Sequence, residues 1–331
     1  MLIKLFRGTG PGVIFLILLT STGVWLSAFF NPAIPDTFNY DLNPMPLYGL
    51  LKQVIGGNAF YGAMFSFSLI LLMLFLLSNF NTAHFFINER TFLPSLIFVL
   101  LTGLFPYYQT LNPVLPASVL LMLAIRRIID SYRKATTAYN FFDASLLIGT
   151  GSLFYANLVW FAILVFIGIA IFRTGNIKEL IISVIGLVTP ALITAGIYYI
   201  ADKDIPSLVD LLNINLFAGS EKYSISIYVI IGLISLGLII LISTVHLLSL
   251  FNNKKIKSRN TFTLLIWSFV ISIAVYLAVP SSSTEILILA AIPASYIIAH
   301  YLILSRNRIL PDICFAVIFI LVVFMQILNL I

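Results

Sequence analysis

Eleven apolar runs, most of them near the length that crosses a bilayer, alternate along this chain with short segments that hold nearly all of its charge. They fall at 12–30, 60–78, 92–105, 114–125, 142–156, 158–172, 180–200, 225–248, 261–279, 286–304 and 313–331. A crossing helix needs roughly 20 apolar residues, with a range of about 17–25. Of the 331 residues, 61% are hydrophobic and 9% are charged. A soluble domain carries roughly 25% charge, so lipid has to be the solvent for this much apolar surface. In lipid every backbone polar group is satisfied within the segment or in a closed barrel, and apolar runs of this length select helices. The expected fold class is therefore all-α: a polytopic helical membrane protein of about 11 transmembrane helices, built as a single membrane domain over 1–331.

Four runs are too short for an ordinary crossing, and they form two adjacent pairs. One pair is 92–105 with 114–125, joined by a Pro-rich turn from Pro106 to Pro113. The other is 142–156 with 158–172, joined by almost nothing. Residues 142–172 supply about 46 Å of helix where two crossings need about 60 Å. Either both helices stop short of the far surface or the pair is re-entrant. Irregular backbone at that depth is tolerated only against protein or a wet cavity, so a cavity open to one side is expected here.

Lys and Arg set the orientation. With the N-terminus in the cytoplasm, inside segments hold fifteen basic residues and outside segments only Lys52, Lys203 and Lys222. That is a strong positive-inside bias. It places the chain in a bacterial cytoplasmic (inner) membrane with its C-terminus external. The same alternation explains the net charge of +6 as a topological signal, which excludes a nucleic-acid partner and leaves membrane lipids as the expected one. Lys4 and Arg7 ahead of the first run resemble a signal sequence, but no small-x-small cleavage site follows, so the run is read as a retained helix.

Two outside loops are large, 31–59 and 201–223. The first holds Leu47, Leu50, Leu51, Val54 and Ile55 at helical spacing, preceded by Pro44 and Pro46 and ended by Gly56 and Gly57. This predicts a short interfacial helix over 46–56. The second mixes Asp202, Lys203, Asp204, Asp210, Glu221 and Lys222, the pattern of a solvated surface loop.

Candidate chemistry is sparse. Asp36 and Asp41 follow the first run; such carboxylates can act as a general base or hold a divalent cation against a phosphate. Asp in a Pro- and Asn-rich loop is also a common turn former. Asp143 sits at the start of the run at 142, where an N-cap accounts for it. His84, His246 and His300 are far apart in sequence and suggest no metal site. The single Cys314 excludes an intrachain disulfide and multi-cysteine metal sites. No charge falls at the centre of a span, which weighs against ion-driven transport.

The order of features resembles the membrane half of GT-C-type glycosyltransferases. A first helix leads to an outside loop with Asp36 and Asp41. A short helix with Pro46-Leu47-Tyr48-Gly49-Leu50-Leu51 follows, then paired short helices with turns such as Gly103-Leu104-Phe105-Pro106. The likeness covers roughly residues 1–175. It implies a polyprenyl-phosphate-linked sugar as partner, Asp36 or Asp41 as catalytic base or ligand of a divalent cation, and Lys52, Tyr40 and Lys203 as substrate-binding residues. The segment from Asn140 to Gly149, continuing through Ser152-Leu153-Phe154-Tyr155, and Gly186-Leu187-Val188-Thr189-Pro190 are similar to a bacterial family of multi-pass membrane proteins of unknown function. Two other functions fit the same layout: a non-catalytic member of a membrane assembly, and a lipid or small-molecule transporter using the broken helices.

Overall fold

The computed structural model describes residues 5–32, 40, 43–55, 57–87, 89–132, 138–172, 177–219, 227–307 and 309–330. These form thirteen α-helices, and no strand occurs among the described residues. The helices are α1 Pro11–Phe30, α2 Pro46–Ile55, α3 Ala59–His84, α4 Leu93–Gly103 and α5 Val114–Asp130. They continue with α6 Ala138–Ser152, α7 Ala162–Phe172, α8 Ile177–Ile200 and α9 Ile205–Phe217. The last four are α10 Ile227–Ser249, α11 Ile256–Ala278, α12 Leu287–Leu304 and α13 Ile309–Leu330. Seven helical segments are long and apolar enough to cross a membrane, and the chain is a multi-pass membrane protein.

Each of the eleven apolar runs is helical, and the four short ones are the two expected pairs. The first pair is short because its first helix is interior. All eleven residues of α4 are buried. The 3-10 turns at Pro106–Tyr108 and Ala156–Phe161 reverse the chain under other protein. A helix that ends against protein has no bilayer thickness to match.

At the centre lies α12, with 94% of its spanning window buried, whereas α8 has 22%. Its neighbours include α4, α10 and α11, and Tyr296 donates to the carbonyl of Leu77 at 2.8 Å. The closest helix pair is α6 with α8. A Cβ on Gly149 would lie 2.5 Å from the Leu187 carbonyl oxygen, and one on Gly186 2.6 Å from that of Phe142. Small residues on both sides let the two backbones meet, the usual device of helix packing where lipid offers no hydrophobic drive.

Two expectations are corrected here. Asp143 does not cap a helix: α6 begins five residues earlier, and the Asp143 carboxylate faces Arg127 of α5 at 3.6 Å. The solvated loop at 201–223 contains α9, whose Leu208 and Asn215 are buried. Its charges cluster at the start and hide a short amphipathic run. The helix expected over 46–56 is present as α2 over Pro46–Ile55, with Tyr48 buried and Leu50 and Val54 exposed.

Hydrogen bonds identify which turns share an end of the bundle. At one end Arg7 meets Glu89, and Ser258 of α11 donates to the Phe86 carbonyl at 2.6 Å. At the other end the Leu47 amide donates to Leu153 at 3.1 Å and Tyr48 to Leu111 at 3.2 Å. Asn215 of α9 donates to Asn43 at 2.9 Å. The two large loops therefore meet at this second end, over the turns of both short pairs.

Candidate functional site

The second end is closed by a polar cap, and Glu285 is its centre. After α11 the chain runs Val279-Pro280-Ser281-Ser282-Ser283-Thr284-Glu285 before re-entering as α12. A run of small hydroxyl residues cannot continue an apolar helix, and its side chains compete for backbone bonds instead. Ser282 donates to the carbonyls of Val275 and Val279, both at 3.0 Å, which folds the segment back over α11.

This fold points the Glu285 carboxylate inward, where the residue is 3% exposed. Tyr155 donates its phenolic hydrogen to Oε1 at 3.0 Å, and the Ser283 amide donates to the same oxygen at 3.0 Å. The Ser283 hydroxyl donates to Oε2. The hydroxyls of Tyr108 and Thr284 are bonded to one another. Asn157 donates to Ser281 Oγ at 3.3 Å, and Ser281 donates onward to the Leu216 carbonyl at 3.1 Å. Three separate parts of the chain thus converge on the seven residues 279–285: the turn of the first short pair, the turn of the second and the end of α9.

A second layer supports the first turn. Gln109 donates to the Val24 carbonyl at 3.1 Å, Ser27 donates to Gln326 at 2.5 Å, and Gln326 donates to the Gly103 carbonyl at 2.7 Å. Asn112 donates to the Tyr108 carbonyl at 2.7 Å and accepts the amides of Val114 and Leu115 at 3.1 and 3.0 Å. It thereby starts α5 in the manner of an N-cap. Where the sequence suggested a cavity, these side chains and α2, α9 and the 279–285 segment occupy the space over the short pairs.

The sequence-predicted site residues fare unequally. Asp36 and Asp41 lie outside the described residues. Tyr40 is buried and stands edge-on to Tyr48, 6.1 Å between ring centroids. Lys52 lies over the same Tyr48 ring at 5.8 Å, so the structure brings Tyr40 and Lys52 together through one aromatic ring. Lys203 is exposed and lies over Tyr198 at 5.5 Å, in a separate contact at the end of α8. Among the described residues no group of three or more His, Cys, Asp or Glu is arranged to hold a metal ion. At the opposite end, Glu89 accepts from Arg7 at 2.7 and 3.1 Å and raises the pKa of the guanidinium above its ordinary value.

Sequence reasoning passed over Glu285, Tyr155, Tyr108 and the serine run. The signal available was the hydroxyl-rich stretch 281–284 immediately before a carboxylate, squeezed between two apolar runs. Nothing in the sequence indicates that Tyr155, 130 positions earlier, would reach it.

An all-helical, multi-pass membrane protein with a buried carboxylate under a polar cap is the class these observations define. Residues 47–331 match the family of unknown function DUF6427, and the chain belongs to that family. No curated protein and no solved structure matches it.

Proposed function

We propose that this protein acts in a bacterial inner membrane on the polar end of a lipid-linked substrate, at the face opposite its basic end. The basic end lies in the cytoplasm, as the distribution of Lys and Arg favours. The working end is then the cap over Glu285, and Asp36 or Asp41 of the first outside loop is the base that activates an acceptor hydroxyl. Lys52, beside Tyr40 and Tyr48, pairs with the donor phosphate, and Lys203 is a second candidate for that role. A GT-C-like transfer from a polyprenyl-phosphate sugar is the reaction that suits this arrangement, and a divalent cation would act on the phosphate.

The observation that carries the reading is the Glu285 carboxylate, 3% exposed and held by donors from the adjoining Ser283 and the distant Tyr155. Burying an ion costs several kcal/mol even after relaxation, and ionisable groups inside membrane proteins are functional by default. In this role Glu285 is a positioning residue: it fixes the Tyr155 turn against the 279–285 segment beneath the incoming substrate.

The test is transfer of a labelled sugar from a polyprenyl phosphate by the purified protein in nanodiscs. Wild-type transfer, lost in Asp36→Asn or Asp41→Asn, supports the reading. Turnover unchanged in both variants removes the catalytic role from this loop, and no transfer by the wild type removes the glycosyltransferase.

A second reading is favoured by the outward flank. On α8, 22% of the spanning window is buried, and on α10, 28%; Gly196 of α8 is exposed with no atom near its Cβ position. A non-catalytic subunit of a membrane assembly would use such a face. Mild-detergent extraction followed by native mass spectrometry distinguishes it, because a subunit co-purifies with one partner at fixed stoichiometry.

A further inference from the structure

The basic end holds a second cluster that neither reading above uses. His246 lies in the last turn of α10, Lys254 in the link before α11, and His300 near the end of α12. The two imidazole centroids are 6.0 Å apart. The Phe262 ring is 5.0 Å from His300, and Lys254 Nζ stands 4.9 Å from that same ring. Three groups able to carry positive charge therefore surround one small volume.

Their polar atoms are not satisfied by protein. His300 is fully buried, and neither of its ring nitrogens has a hydrogen-bond partner; Nδ1 of His246 is buried without one as well. A neutral imidazole has one donor and one acceptor to place, and buried polar groups without partners need a reason. No carboxylate among the described residues pairs with any of the three. The neighbouring Lys255 and Arg259 are exposed, whereas Lys254 is turned in and partly buried. Burial brings its pKa from the usual 10.5 down to about 8. Just beyond it α11 begins without a side-chain cap, so its first amides are not bonded by a capping side chain.

We propose that His246, Lys254 and His300 form a binding site for a phosphate group at the basic end of the bundle. Phosphate suits the site better than a carboxylate does, because it presents three strong acceptor oxygens to three donors. Its charge would offset that of Lys254 and favour protonation of the imidazoles beside it, and one oxygen would give the buried His300 ring the partner that the protein does not. His246 and Lys254, both partly exposed, form the entrance. The group can come from the phosphomonoester head of a membrane lipid or from a free phosphate compound, and the chemistry at the site is the same.

The experiment uses the full-length protein in two kinds of nanodisc. In phosphatidylcholine alone, inorganic phosphate is titrated and the melting temperature followed. In discs doped with phosphatidic acid, retention of that lipid over phosphatidylcholine is read by native mass spectrometry. A response to inorganic phosphate assigns a free ligand; selective retention of phosphatidic acid alone assigns a lipid head. Loss of one charge-assisted bond should weaken binding by about tenfold in Lys254→Gln, and Lys254→Arg should keep it. His246→Gln is the second variant should Lys254→Gln fail to fold. The site is ruled out if the wild type responds in neither arm, or if folded His246→Gln or Lys254→Gln binds as the wild type does.

Discussion

The two ends of the bundle are held by different physics. At the cap end, neutral donors from Tyr155 and Ser283 converge on one buried carboxylate, and carboxamides of Gln109, Asn112, Asn157 and Gln326 tie the turns together. At the basic end, the ion pairs of Arg7 and Arg127 lie near water. Arg7 and Glu89 are 46% and 37% exposed, and Arg127 and Asp143 are 51% and 40% exposed. Exposed pairs of this kind contribute about 0–1 kcal/mol, whereas a buried group deprived of its partner costs about 1–3 kcal/mol. The cap end is thus specified by its own bonds. The exposed ion pairs of the basic end add little specificity of their own.

The largest effect expected from this contrast is at Glu285. Glu285→Ala leaves three donors buried without an acceptor and should lower unfolding stability by about 3 kcal/mol or more. Glu285→Gln, which keeps one acceptor oxygen, should lose less. Thermal or denaturant unfolding in micelles measures both, and a loss below about 1 kcal/mol for Glu285→Ala would mean that apolar packing holds the cap instead.

Tyr155→Phe is the finer probe, since it removes one donor to a charged acceptor and little volume. About 1.5–2 kcal/mol should go. A double-mutant cycle with Glu285→Gln should show coupling, because the two side chains share a hydrogen bond at 3.0 Å.

Arg7→Ala, at the other end, should change stability by less than about 1 kcal/mol, and the difference should shrink further in high salt. A loss as large as that of Glu285→Ala would erase the distinction between the ends.

A pH dependence, rather than a truncation, probes Lys254, whose pKa is pushed down to about 8 in the folded state against 10.5 ordinarily. Between those values the unfolded chain binds more protons, so stability should rise as pH goes from about 8 towards 10.5. Below pH 8 both states are protonated and the cost of burial is fully present. A melting series in phosphate-free phosphatidylcholine discs should show the rise, and Lys254→Met should flatten it.

The sequence made most of the architecture legible. Apolar runs located eleven of the thirteen helices among the described residues, and the prolines and glycines around 46–57 predicted α2. The shortfall in length over 142–172 marked a short pair, which the 3-10 turn Ala156–Phe161 joins. It misjudged α9, because two Asp residues and a Lys over 202–204 looked like solvated loop while the amphipathic run beyond them was short. It assigned Asp143 to a cap because the apolar run begins at 142, whereas polar residues can extend a helix backwards into the interface. The candidate site was the least legible part. Glu285 registered only as an acid between two spans, and His246 and His300 as isolated residues.

Composition and the spacing of charge by themselves determined that the chain is helical, membrane-embedded and polarised, because transfer between water and lipid acts on each segment almost independently of the others. Only the tertiary structure decided which polar residues meet. The bond from Tyr155 to Glu285 and the approach of His246 to His300 depend on how helices pack around α12, and packing is set by the shapes of many neighbours at once.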